Sequence, residues 1–170
     1  MVKKIKNMAE LNKHINKILV DSLNKENNLV ANEIKYTEAE MVEQEVYAKY
    51  APDNGEPFVY QRRGDKGGLA DVSNMEHTAQ QSKGKVSMNV RNMTPPNPKF
   101  NDNQLKDGEV ADLVENGDGV KGLNYSYPDG SYADARPFQR ETVEELKNNK
   151  KLRDALKIEL RKKGIKTINM

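Results

Sequence analysis

Ser82-Lys83-Gly84-Lys85-Val86-Ser87-Met88-Asn89-Val90-Arg91 is the stretch that separates an all-helical reading of this chain from an α+β one. Val86, Met88 and Val90 alternate with Ser87, Asn89 and Arg91. A period of two puts one set on an apolar face and the other in water, as in a half-buried strand. Ser82-Lys83-Gly84 supplies a turn, and Met75 to Gln80 is the strand it returns from. Two strands alone are marginal in water, so this hairpin must pack on a helix or join further strands.

The sequence on either side supplies helices. From Met8, the residues Leu11, Ile15, Ile18, Leu19 and Leu23 recur every three or four positions among Lys, Asn and Asp, the pattern of an amphipathic helix. Val30 and Ile34 carry the stripe past Asn27-Asn28. Thr37-Glu38-Ala39-Glu40 has the order of a capping box, so the expectation is one very long helix, interrupted near Tyr36 and extended by Met41, Val42, Val46, Tyr47 and Tyr50 to about Pro52. Glu109 to Gly117 reads as a short helix stopped by its glycine. Val143 and Leu146 mark one C-terminal helix and Leu152, Ala155, Leu156 and Leu160 another, with a joint at Asn148-Asn149, a second capping-box pattern at Thr142 and Glu145, and a stop at Gly164. Thr94-Pro95-Pro96-Asn97-Pro98 admits neither helix nor ladder. The whole chain, 1–170, reads as one α+β domain. A long N-terminal helix packs on a small antiparallel sheet, C-terminal helices close it, and two extended loops, 51–74 and 117–135, reach outward.

Composition narrows the function classes. Hydrophobic residues make up 35% and charged residues 32%, with 7 Tyr, 3 Phe and no Trp, which is little core material for 170 residues and implies apolar contact with neighbouring subunits. Without cysteine there is no disulfide, thiolate metal site or cysteine nucleophile. Met1-Val2-Lys3-Lys4 has the charge of a signal peptide but no apolar region after it, and no stretch approaches a membrane span, so synthesis in the cytoplasm with no membrane contact is expected. The two histidines, His14 and His77, lie far apart and read as surface residues rather than as ligands or bases. Gly64-Asp65-Lys66-Gly67-Gly68 lacks the order of a nucleotide-cradling loop. In the calcium-loop frame that puts Gly108 sixth, Leu105 occupies a ligand position and Val114 the place of the final glutamate. No enzyme activity, metal or cofactor is expected.

Two motifs remain. Tyr60-Gln61-Arg62-Arg63-Gly64 with Gly67-Gly68-Leu69-Ala70-Asp71 is followed about seventy residues later by Ala135-Arg136-Pro137-Phe138 running into Glu141-Thr142-Val143-Glu144-Glu145-Leu146. In order and spacing these resemble the neck and tail-completion proteins of long-tailed bacteriophages, lambda gpZ-like minor structural proteins. The resemblance implies a virion protein at the head–tail junction, one of six or twelve identical copies in a ring around the DNA passage. Its partners would be itself, the head-closure or portal-side proteins, and the tail-terminator or tail-tube proteins. Tyr60, Arg62, Arg63, Gly67, Gly68, Leu69, Arg136, Pro137 and Phe138 are then the expected subunit interface. Arg62 and Arg63 suit carboxylates of a neighbouring copy.

The C-terminus is basic: from Arg136 onward there are 11 Lys or Arg against 5 Asp or Glu, on a chain whose net charge is only +2. Lys150, Lys151, Arg161, Lys162 and Lys163 are therefore the candidates for non-specific contact with genomic DNA in the channel, by salt-sensitive contacts to phosphate. The alternative reading is a cytoplasmic nucleic-acid-binding regulator that uses this basic end.

Overall fold

The computed structural model describes residues 6–48, 66–96, 105–117 and 135–166. Among them it places helices α1 (Met8–Leu23), α2 (Leu29–Met41), α3 (Glu109–Asn116), α4 (Phe138–Asn148) and α5 (Lys151–Lys162), with the strands β1 (Met75–Ser82) and β2 (Lys85–Asn92) paired as one hairpin. The architecture is α+β, as the period-two stretch requires. The chain divides into two compact units, one of Met1–Ile34, His77–Val90 and Lys150–Met170 and the other of Lys35–Glu76 and Arg91–Asn149.

The first unit is built from regular elements. Asn7 caps α1 by accepting from the Glu10 amide at 2.9 Å, while Glu10 reaches back to the Lys6 amide at 2.9 Å. The hairpin turns on Lys83 and Gly84, both at positive φ (48° and 77°), the geometry that matches the twist of paired strands. Leu23, Val30, Ala79 and Ala155 form the buried centre, and Leu29, Ile34, Val86, Met88, Leu152 and Leu156 pack around it. The hairpin thus packs on the N-terminal helices and α5, which resolves the marginality of two lone strands.

The N-terminal helix breaks at a different place from the one expected. The interruption falls at residues 24–28, and α2 runs unbroken past Tyr36 and Thr37. Asn28 is the reason: its side-chain oxygen accepts from the amides of Val30 (2.9 Å) and Ala31 (3.0 Å), a working N-cap that starts a new helix. Thr37 lies inside α2 and is buried, so the capping-box reading of Thr37 and Glu40 does not hold. Beyond Met41 the helix widens into a π-helical turn, Val42–Tyr47.

The second unit gathers irregular pieces. Its core is Met41, Val42, Leu69, Ala70, Ala111 and Phe138, with Ala39, Val46, Tyr47, Val110 and Val114 against it. α3 ends at Gly117 as its glycine dictates, and α4 and α5 are separate helices with the joint at Asn149 and Lys150. The Thr142 cap fails for the same reason as that of Thr37: Thr142 is buried inside α4, its hydroxyl donating to the Phe138 carbonyl at 2.7 Å. The buried face of α4 is Phe138 and Thr142, and Val143 is 49% exposed. Gly164, at φ 75°, stops α5, with Ile165 bonding back to the Leu160 carbonyl.

Candidate functional site

The described parts of the two motifs, residues 67–71 and 135–138, meet in the second unit. Leu69 is 6% exposed and Phe138 fully buried, and both belong to the same core. Their side chains therefore pack inside the chain. Pro137 precedes α4 and is half-buried. Gly67 adopts φ 81°, a conformation glycine takes without cost, and its amide donates to Asp71 Oδ2 at 2.6 Å. Asp71 Oδ1 accepts from the Ser73 hydroxyl (2.6 Å) and amide (2.9 Å). The Ser73 hydroxyl foremost, with the Ser73 and Gly67 amides, holds the Asp71 carboxyl below its ordinary range despite some burial. Residues 66–74, read from sequence as the end of an outward loop, are thus a tight turn closed by one aspartate. Tyr60, Arg62 and Arg63 lie outside the described residues.

Arg136 bonds to both α3 and the π-helical turn. Its amide donates to the Val114 carbonyl at 2.8 Å, linking the chain just after residues 118–134 to the helix just before them. Its guanidinium Nη1 donates to the Val46 carbonyl at 2.9 Å, in the π-helical turn that precedes residues 49–65. Glu115 adds a second fastening: its carboxylate accepts from the amides of Gln139 (2.7 Å) and Arg140 (3.2 Å), filling the unpaired donors at the start of α4. Arg136 and Glu115 thus tie the chain at the start of α4 to α3 and to the π-helical turn.

The second unit also holds a buried polar network that the sequence did not reveal. The Asn92 carboxamide nitrogen donates to Glu38 Oε1 (3.1 Å) and to the Leu69 carbonyl (2.9 Å), while its oxygen accepts from the Thr94 amide (3.1 Å). The Thr94 hydroxyl stands 2.5 Å from Asn92 Oδ1 and 3.1 Å from the Gly68 carbonyl, and its single proton serves one of them at a time. Asn74 also donates to Gly68 O, at 3.1 Å. Asn92 and Thr94 are each 1% exposed and Glu38 5%. Burial pushes the Glu38 carboxyl up; the bond from Asn92 offsets part of that, and the Glu115 carboxylate adds to it. Gly68, expected at an interface, is buried and supplies a carbonyl to this network.

The candidate DNA-facing residues are in the first unit, along α5. Lys150, Lys151, Arg161, Lys162 and Lys163 are all exposed. Lys151 lies 3.9 Å from Glu33 and Lys162 2.8 Å from Glu159. Glu159 is the unexpected member: only 6% exposed, it accepts from the Leu29 amide at 3.3 Å and from the Ser22 hydroxyl at 3.4 Å. Burial alone would raise its carboxyl, but the bonds from Lys162, Leu29 and Ser22 outweigh burial and hold it below the ordinary range. A carboxylate on α5 thereby secures the start of α2. His14 is exposed, and His77 Nε2 stands 3.2 Å from the Lys25 carbonyl.

Among the described residues no three His, Cys, Asp or Glu converge as a metal site, and no helix is long and apolar enough to cross a membrane. The class these features define is an α+β protein in which a two-stranded hairpin stands among helices. The chain belongs to the YomN family, a phage-derived family whose model matches residues 7–162. No curated protein and no solved structure matches it.

Proposed function

We propose that this chain is a non-enzymatic structural protein of a tailed-phage particle, acting at the neck as one copy of a ring that joins or completes the tail at the head–tail interface. The phage-derived family supports the particle context. The observation that carries the finer reading is Arg136: its side chain bonds to the Val46 carbonyl shortly before residues 49–65, and its backbone amide bonds to the Val114 carbonyl shortly before residues 118–134. A protein that uses two segments to grip neighbouring copies needs their roots held in fixed register, because contacts made by the segments transmit force only through a rigid base. Segments that order on contact with neighbours make assembly stepwise, since the ordering entropy is then lost only within the ring.

Imaging intact particles and locating the chain tests this. Density for it at the head–tail junction is the expected result, and its absence from purified particles overturns the reading. Replacing both Arg62 and Arg63 by Ala should leave the helix content of the free chain intact yet block incorporation, at a cost of about 2–5 kcal/mol for a buried charge pair that loses one partner. Normal particle yield from that variant removes residues 49–65 from the assembly argument.

A further inference from the structure

The first unit carries a polar surface cleft of about 370 Å³, formed by the turn between α1 and α2 and by the last turn of α5. Three lysines line it: Lys25 from the turn, and Lys162 and Lys163 from the helix end. We propose that this cleft binds a phosphate group, held between the ammonium groups of Lys25 and Lys163.

Both lysines stand on braced backbone. The Lys25 amide donates to the Ser22 carbonyl at 3.3 Å, and its own carbonyl accepts from the Asn28 amide at 3.0 Å and faces His77 Nε2 at 3.2 Å. The neighbouring Asn24 pairs with both backbone groups of Ala79, donating to its carbonyl at 2.9 Å and accepting from its amide at 2.6 Å, as an added strand would. On the other side, Lys163 and Gly164 bond back to Leu160 and Arg161, so the end of α5 is fixed. The cleft is therefore a built feature, with room on the order of ten water molecules.

Its charges are unevenly used. Lys162 is neutralised by Glu159, and Glu159 is itself occupied by the Leu29 amide and Ser22. Among the described residues neither Lys25 nor Lys163 forms an ion pair, although Asp21, Glu26 and Glu159 are nearby. Lys25 and Lys163 line the same cleft, and the Lys25 ammonium lowers the proton affinity of Lys163. Ammonium groups are donors only, so they cannot satisfy one another. An anion with several oxygens accepts from both and relieves the repulsion. The start of α2 adds positive potential, but its first amides are already taken by Glu159 and Asn28, so recognition rests on the two point charges. Binding of that kind is modest in affinity and sensitive to salt. The phosphate is either free or part of a nucleic-acid backbone.

The test uses the full chain labelled with nitrogen-15 and titrated with sodium phosphate at constant ionic strength, with sodium chloride as reference. The expected result is saturable amide shifts confined to residues 24–28 and 160–165. Lys25→Ala with Lys163→Ala should weaken binding about tenfold or more. The Arg pair at the same positions should retain it, and Lys13→Ala with Lys17→Ala, on the exposed face of α1, should not change it. All four positions are exposed, so thermal melting serves to confirm that the variants are folded. Equal responses to phosphate and chloride, or equal losses in the α1 control, overturn the proposal. A second arm adds short duplex DNA. Shifts at the same residues, reversed by phosphate, identify the backbone as the source; shifts with phosphate alone identify the free anion. The site stands independently of the neck reading, and its loss would leave that reading unaffected.

Discussion

In the unit of α1, the hairpin and α5, the buried apolar residues lie on regular elements or at their ends: Leu23, Val30, Ala31, Ala79, Ala155 and Leu160. In the other unit the core collects Met41 and Val42 from a widening helix, Leu69 and Ala70 from an irregular turn, and Phe138 from the first position of α4. The two differ in their polar groups as well. The irregular turn of the second unit leaves carbonyls inside that no ladder or helix can satisfy, and Asn92, Thr94 and Asn74 supply the missing bonds. Regular elements satisfy their own backbone, whereas irregular ones need particular side chains. The second unit should therefore be the less tolerant of substitution, and its tolerance can be measured.

Phe138→Ala should have the largest effect, a loss of about 3–5 kcal/mol, because a fully buried ring leaves a cavity at the joining point of loop, π-helical turn and α4. Leu156→Ala in the first unit should cost less, since Leu156 is only partly buried to begin with. Urea denaturation of both variants orders them, and equal losses would remove the contrast. Asn92→Ala comes next. It leaves the Leu69 carbonyl and the Thr94 amide without their Asn92 bonds, at about 1–3 kcal/mol for each buried group left unpaired. The matched change, Asn24→Ala, frees backbone groups of Ala79 that are only partly buried and should cost less. Amide exchange at residues 68–71 and 92–94 reports the first, and exchange at residues 78–80 the second.

Gly108→Ala should cost about 1–2 kcal/mol. Gly108 holds φ 85° at the start of α3, and a Cβ there would meet the Asn92 carbonyl oxygen at 3.2 Å and the Met93 sulfur at 3.3 Å. The same change at Gly84, also at positive φ (77°) in the hairpin turn, meets no atom within 4 Å and carries the backbone cost alone. Thermal unfolding of the pair separates the conformational penalty from close packing: equal shifts would mean that the approach to Asn92 contributes nothing.

The same division explains what the sequence disclosed. Period two over Val86, Met88 and Val90, and the three- and four-residue spacing of Leu152, Leu156 and Leu160, identified the elements of the first unit, because regular structure repeats and repetition is visible in one chain. Gly117 and Gly164 marked two helix ends by the same logic. Asn28 and Thr37 both suit a cap by residue type, and the pattern of residue types does not show that Thr37 lies buried inside a continuous helix while Asn28 starts one. Gly67, Gly68, Leu69, Arg136, Pro137 and Phe138 read from sequence as a partner surface, whereas the structure puts Leu69 and Phe138 in one core. Glu38, Asn92 and Glu159 gave no signal, since each has a buried partner between 23 and 137 positions away and a carboxylate or amide on a helix or strand ordinarily faces water.

The smallest expected effect has the opposite sign in one unit and brings the comparison down to single carboxyls. Glu38 and Glu159 are both buried, but Glu38 is held above its ordinary range by burial, whereas Glu159 is held below it by the bonds from Lys162, Leu29 and Ser22, which outweigh its burial. A raised carboxyl contributes stability that is fully present below its unfolded value, near 4.5, and is lost as pH rises through the folded value. A lowered one contributes stability that is present above the unfolded value and lost as pH falls through the folded value. Glu38→Gln keeps an oxygen that accepts from Asn92 and removes the charge that burial penalises, so it should stabilise the chain at neutral pH and flatten the loss of stability above pH about 5. Glu159→Gln gives up the charge that Lys162 and the Leu29 amide favour, so it should destabilise the chain at neutral pH and flatten the loss on acidification. Denaturant midpoints of parent and both variants from acid to neutral pH provide the check. If both variants shift the profile in the same direction, the irregular unit does not carry a strained carboxyl, and its polar network is merely the local equivalent of the clasp at Glu159.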